Sequence, residues 1–154
     1  MGLLLPFLIG VLAGLRSLTP AAIVAWAAKL GWMKLQAPFA WMGSSITVAI
    51  ATVLAIVELV TDKLPSTPSR TAPPGLIARI VLGGLAGACV AMGGGQAYLG
   101  GAMAGIIGAL VGTFGGYQVR TRTAKALGVP DIVIALVEDL ITIGCSLWVV
   151  SRFS

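Results

Sequence analysis

Five runs of fifteen to twenty mostly apolar residues dominate this sequence: 3–18, 46–60, 76–92, 98–117 and 132–150. Crossing the roughly 30 Å hydrocarbon core of a bilayer takes about 20 such residues as a helix. Inside that core only helices and closed barrels satisfy their own backbone groups. The runs therefore predict an all-α fold: a polytopic transmembrane helical bundle of about five spans, forming one domain over residues 1–154. Composition agrees, with 58% hydrophobic and 10% charged residues against about 25% charged in soluble domains. The mean hydropathy is +1.02.

The first run meets Pro20 after Gly10, Gly14, Arg16, Ser17 and Thr19. Proline removes a backbone donor and clashes with the preceding turn, so this span is expected to break near Pro20. Residues 21–30 then complete the crossing or lie in the interface. Residues 64–75 hold four prolines and read as a loop, as does the basic segment VRTRTAKALG at 119–128. Lys63, Arg70, Arg79, Arg120, Arg122 and Lys125 fall on one side of a five-span arrangement, and Lys29, Lys34 and Arg152 on the other. The positive-inside rule makes the first side cytoplasmic, with the N-terminus inside and the C-terminus outside. Trp26, Trp32, Trp41 and Trp148 then form a belt at the outer face. The N-terminal run lacks the basic leader of a signal peptide and reads as a retained span.

The net charge of +5 sits in loops and is explained by orientation and anionic headgroups, so no nucleic-acid partner is expected. There is no histidine, which removes the commonest metal ligand and general base. Cys89 and Cys145 both lie in apolar runs and read as small buried hydrophobes. No nucleotide-binding glycine motif and no metal constellation is present. Neither catalytic residues nor a cofactor or metal are expected, and an enzyme is the weakest reading.

The informative charges lie within the apolar runs. Glu58 stands inside ATVLAIVELVTDKLP (51–65) and Glu138 inside ALVEDL (135–140). A carboxylate at that depth costs about 2.5–3.5 kcal/mol on insertion scales and persists where it is used or paired. Counted from the nearest loop, both glutamates sit at similar depth, so packed spans would let them share a proton or a cation. The bland alternative is neutralisation by a basic neighbour or by headgroup water. Asp62 and Asp139 are read first in that bland way and second as further members of an ion- or substrate-binding site. Arg16, the cation of the first span, either snorkels outward, pairs with a carboxylate, or presents an anion site at the helix break.

Gly83, Gly87, Gly101, Gly105, Gly108, Gly112 and Gly116 repeat the small-xxx-small spacing by which membrane helices approach closely. Packing within the chain is the expected role, with a homo-oligomer contact on the same faces as the other. A weak internal repeat pairs LIGVLAG (8–14) with IIGALVG (106–112), and AIVELV (55–60) with ALVEDL (135–140). Inverted repeats are common in transporters, but one would set Glu58 and Glu138 at opposite depths, whereas counting from the loops sets them at the same depth.

GLRSLTP (14–20), ELVTDKLP (58–65) and the Gly-rich span followed by LVEDL (136–140) resemble a family of small bacterial membrane proteins catalogued as a domain of unknown function. The likeness covers nearly the whole chain. It implies an integral domain of a bacterial inner membrane and supplies no activity and no site residues. The expected function is a small transporter or channel for a proton, cation or small solute, in lipid and as a homo-oligomer. Its rival is a non-transporting subunit that binds a protein or lipid through Gly-rich faces.

Overall fold

A computed structural model describes residues 2–63 and 72–154. It contains α1 (Leu4–Leu15), α2 (Leu18–Lys29), a 3₁₀ turn (Ala40–Gly43), α3 (Ser45–Thr61), α4 (Pro73–Gly93), α5 (Tyr98–Leu127) and α6 (Asp131–Ser151). No strand occurs among the described residues. Most of the Pro-rich loop expected at 64–75, residues 64–71, lies outside them. Pro73 and Pro74 instead open α4, where a fixed φ and a missing N–H cost nothing.

Three helices, α4, α5 and α6, are long and apolar enough to cross a membrane. The other three fall short of the five-span expectation. With twelve residues each, α1 and α2 reach about 18 Å, and the seventeen of α3 reach about 25 Å. A second difference is α5, which continues through the basic segment expected as a loop and stops at Gly128. That residue takes φ +62°, a left-handed C-cap that glycine adopts without steric cost.

Close approaches fix the helix directions. A Cβ added to Gly10 would overlap Gly105, and one on Gly14 would overlap Ala109 and Thr113, so α1 and α5 run in parallel. Gly83 faces Gly105 and Ala109 while Gly87 faces Gly101, so α4 runs antiparallel to α5. The Trp26 indole donates to Thr52 Oγ1 at 2.9 Å, and Lys29 meets Ser45 at 2.6 Å. Glu58 meets Ser17, so α3 runs antiparallel to α2. Met33, just past α2, packs on Gly93 at the end of α4, while Arg79 near the start of α4 reaches Gly14 at the end of α1.

Helix α2 therefore returns toward the level at which α1 began. The first span is neither one broken crossing nor a crossing with an interfacial tail. It is a helical hairpin whose tip, Arg16–Ser17, lies inside the bundle. The whole chain alternates direction helix by helix, and both ends of the described chain lie at one end of the bundle, beside Gly93 and Phe153. This terminal end also carries the loop after α2 and all four tryptophans. The opposite, charged end carries Lys63, Arg79, Arg120, Arg122 and Lys125. Doubling back at residue 16 thus puts the N-terminus at the end of the bundle opposite Lys63, Arg120, Arg122 and Lys125, where the five-span reading placed it with them. The grouping of the other loop cations stands among the described residues, and Arg70 lies outside them.

The glycine faces meet inside the chain. Gly83, Gly87, Gly101, Gly105, Gly108 and Gly112 are buried where α1, α4 and α5 converge. Below the tip a core of Leu5, Ile9, Val24, Ala86, Cys89, Val149 and Val150 joins the hairpin to α4 and α6. The outer surface is apolar, with Ile50, Val53, Val57, Val81, Val111, Leu140 and Ile141 each about half exposed or more, as expected where lipid is the solvent. Cys89 is buried as expected, but Cys145 lies on this outer surface of α6.

Candidate ion network at the tip of a buried hairpin

Pro20 explains where the chain turns. Continuing α1 would require its N–H to bond the Arg16 carbonyl four residues back, and its ring would strike that carbonyl. The helix accordingly ends at Leu15. Arg16 is extended (φ −141°, ψ 111°), and Pro20 sits in the first turn of α2, where an N–H is spare. The break falls four residues before the proline itself.

Two helix ends now face each other in the interior, and each meets a charge that complements its dipole. At the C-terminus of α1, the Gly14 carbonyl accepts from Arg79 Nε at 3.1 Å and Thr113 Oγ1 at 3.4 Å. At the N-terminus of α2, Glu58 accepts from the backbone N–H of Ser17 at 2.8 Å and of Leu18 at 2.9 Å. The Ser17 hydroxyl donates to the same carboxylate. Glu58 of α3 thus supplies the capping that Ser17, in the N-cap position of α2, does not give with its own side chain.

Arg16 lies between α3 and α6, and its side chain is 1% exposed. Nε donates to Asp139 Oδ1 at 2.6 Å, and Nη1 donates to Asp62 Oδ2 at 2.9 Å. Nη2 lies 3.4 Å from the Ala135 carbonyl and 3.6 Å from Glu138 Oε2. Lys63 bonds the second Asp139 oxygen and donates to the Leu59 carbonyl at 2.7 Å. Arg120 holds Asp131 bidentately at 2.9 and 2.6 Å and approaches Glu138 Oε2 at 3.4 Å.

The five nominated residues, Arg16, Glu58, Asp62, Glu138 and Asp139, are all brought to this tip. With Asp131 at the rim, the network gathers all five Asp and Glu side chains of the sequence. The equal depth expected for the two glutamates is seen, since both reach residues 16–18. The donors around them differ from the expected shared proton. Glu58 serves backbone N–H groups and a hydroxyl, and Glu138 lies against two guanidinium groups. Of the three fates open to Arg16, the structure shows pairing with carboxylates.

Sequence reasoning missed Arg79, Arg120 and Ser17 as members. Arg79 had a visible signal, a cation four residues into an apolar run. Ser17 had another, a cap-type residue just before a helix restarts. Arg120 had none, because it enters only through the extension of α5. No group of three or more His, Cys, Asp or Glu that could hold a metal occurs among the described residues.

Exposure falls stepwise into the network. Side chains are 67% exposed at Asp131, 17% at Arg120, 21% at Lys63 and 17% at Asp62, then 10% at Asp139 and 1% at Arg16. Charges that water can reach therefore lead, link by link, to one that it does not reach.

Residues 3–151 match the family described as a domain of unknown function, DUF4126. The chain belongs to that family. No curated protein and no solved structure matches it. As a DUF4126 domain it brings no assigned chemistry, and the network itself is the guide to what it does.

Proposed function

We propose that this protein is a small transporter or channel-like protein of a bacterial inner membrane, in which the carboxylates around Arg16 take up a proton or a small cation. The observation that carries this reading is the graded charge network, open at the charged end and closed over Arg16. Burying an ion network in place of apolar side chains is often neutral or worse for stability, and ionisable residues at membrane depth mark ion pathways and proton relays. Irregular backbone at that depth is tolerated where it lies within protein or lines a cavity, and residues 16–17 are such a break. An arriving proton or cation competes with Arg16 for Asp62, Glu138 and Asp139, so loading the site loosens the tip.

Two features of the fold support transport over the rival of partner binding. The Gly-rich faces that would recruit a partner are spent between α1, α4 and α5. In addition, α1–α3 and α4–α6 run in opposite directions helix for helix, the arrangement of an inverted repeat. Neither sequence pair follows it. AIVELV and ALVEDL lie on the equivalent, antiparallel α3 and α6, yet Glu58 and Glu138 sit at one depth where an inverted repeat requires opposite depths. LIGVLAG and IIGALVG lie on α1 and α5, which are parallel and pack directly on each other. By the positive-inside rule the charged end faces the cytoplasm and both termini face outward.

The test is flux in proteoliposomes with an internal pH indicator and imposed proton, sodium or potassium gradients. Wild type is expected to dissipate one of these gradients, and Asp139→Asn to do so at least tenfold more slowly. Wild-type vesicles as tight as empty ones under all three gradients would overturn the proposal.

A further inference from the structure

Helix α6 buries a single stripe, Ala135, Asp139, Thr142, Ser146 and Val149, at spacings of four, three, four and three residues. Such spacing keeps one face of a helix toward its neighbours. In a membrane bundle that face is ordinarily apolar or small, yet here its upper half is polar. The Thr142 hydroxyl donates to the Glu138 carbonyl one turn back at 2.8 Å, the usual way a helix absorbs a hydroxyl. Ser146 does not.

Its Oγ and that of Thr19 on α2 are buried without a hydrogen-bond partner among the described residues, in residues 0% and 4% exposed. Buried hydroxyls are nearly always partnered, by protein or by ordered water. Two orphans on helices that pack together, both on the terminal side of the ion network, therefore point to water.

Both helices run from the network toward the terminal end, which sets the depths. Thr142 lies three residues beyond Asp139, about 4.5 Å, and Ser146 seven residues beyond, about 10 Å. Thr19 is two residues beyond Ser17. A gap of about 10 Å takes about three waters at hydrogen-bond spacing. Beyond Ser146 the stripe becomes dry, with Val149 and Val150 each 1% exposed in the core that also holds Met33.

We infer that a file of water continues from the ion network between α2 and α6, past Thr19, Thr142 and Ser146, and is shut at the terminal end by Val149 and Val150. This rests on the transport reading for its use and adds two things to it. It supplies the second half of the pathway, from Arg16 toward the terminal end. It also selects the proton over larger solutes, because hydroxyls and single-file water both donate and accept and so relay protons.

The test uses the full chain in vesicles, carrying Cys89→Ala and Cys145→Ala, with cysteine placed at one of three positions. Ser146→Cys and Thr19→Cys probe the file, and Leu147→Cys, on the outer surface at 47% exposure, is the lipid-facing control. The probe is Ag⁺, a water-sized ion that reacts with thiolates and does not partition into hydrocarbon. Protection from later labelling in denaturant measures its reaction. The inference expects Ag⁺ to modify at least one file position at least tenfold faster than the control. Rates at both file positions no higher than the control would overturn it. Proton flux measured in the same vesicles separates the two proposals. Flux with unreactive cysteines removes the water file and leaves transport standing, and reactive cysteines without flux do the reverse.

Discussion

Arg16 is the residue on which the others converge. Its fork spreads three nitrogens over Asp139, Asp62 and the neighbourhood of Glu138, a geometry that a lysine ammonium, one point of charge, does not reproduce. Arg16→Met takes the guanidinium from Asp62 and leaves Asp139 to Lys63 and Glu138 to Arg120, and breaking a buried ion pair costs about 3–5 kcal/mol. Thermal unfolding in detergent should show that loss, with Arg16→Lys recovering less than half of it. Glu58 acts differently, because its partners are backbone groups. Glu58→Ala strands the N–H groups of Ser17 and Leu18, each unsatisfied group costing about 1–3 kcal/mol. Glu58→Gln keeps one acceptor oxygen and should retain the larger part of the stability. Equal losses in the two variants would mean that the charge, not the cap, is what matters. These residues were legible in the sequence because a carboxylate or guanidinium in an apolar run stands out against its neighbours. What they touch was not legible, since Arg16 and Asp139 are 123 residues apart and only the tertiary path joins them.

At the scale of the helix, glycine placement decides which faces meet. A Cβ on Gly105 would overlap the Gly83 carbonyl, and one on Gly112 would overlap that of Val11, both unyielding backbone. Gly105→Ala and Gly112→Ala should each destabilise by about 1–3 kcal/mol or more, as overpacking does. Gly115 lies on the same helix with nothing within 4 Å of its added Cβ. Gly115→Ala should be neutral or stabilising by up to about 1 kcal/mol, from helix propensity alone. A melting series over the three variants checks the contrast. The small-residue spacing made these contacts legible as packing. Proline chemistry likewise made a break near residue 20 legible, though its position at 16–17 follows from the carbonyl that Pro20 would strike. The extension of α5 was hidden because Arg120, Arg122 and Lys125 look like a loop by charge, although long basic side chains tolerate a helix well.

For the whole molecule, the reversal at residue 16 puts both ends of the described chain at the end of the bundle opposite the charged one. Leu3→Cys and Ser154→Cys should react with a membrane-impermeant thiol reagent from one side, and Arg122→Cys from the other. Reaction of the two terminal positions from opposite sides would restore a first span that crosses. The class of fold was legible throughout, from hydropathy alone. The direction of α2 was not, because twelve apolar residues after a break fit a completed crossing, an interfacial helix and a returning arm equally well. Only packing against α3 and α6 separates the three.

The tip also sets a schedule. Chains emerge from the ribosome N-terminus first, so α1 and α2 enter the membrane with Arg16 between them before any of its carboxylates exists. Asp62 arrives next, and Glu138 and Asp139 only with the last helix. Until then Arg16 lacks two of the carboxylates that offset the cost of burying its charge. Helix α6 thus seats a hairpin made far earlier in the chain, and a chain that stops short of α6 leaves Arg16 without Glu138 and Asp139.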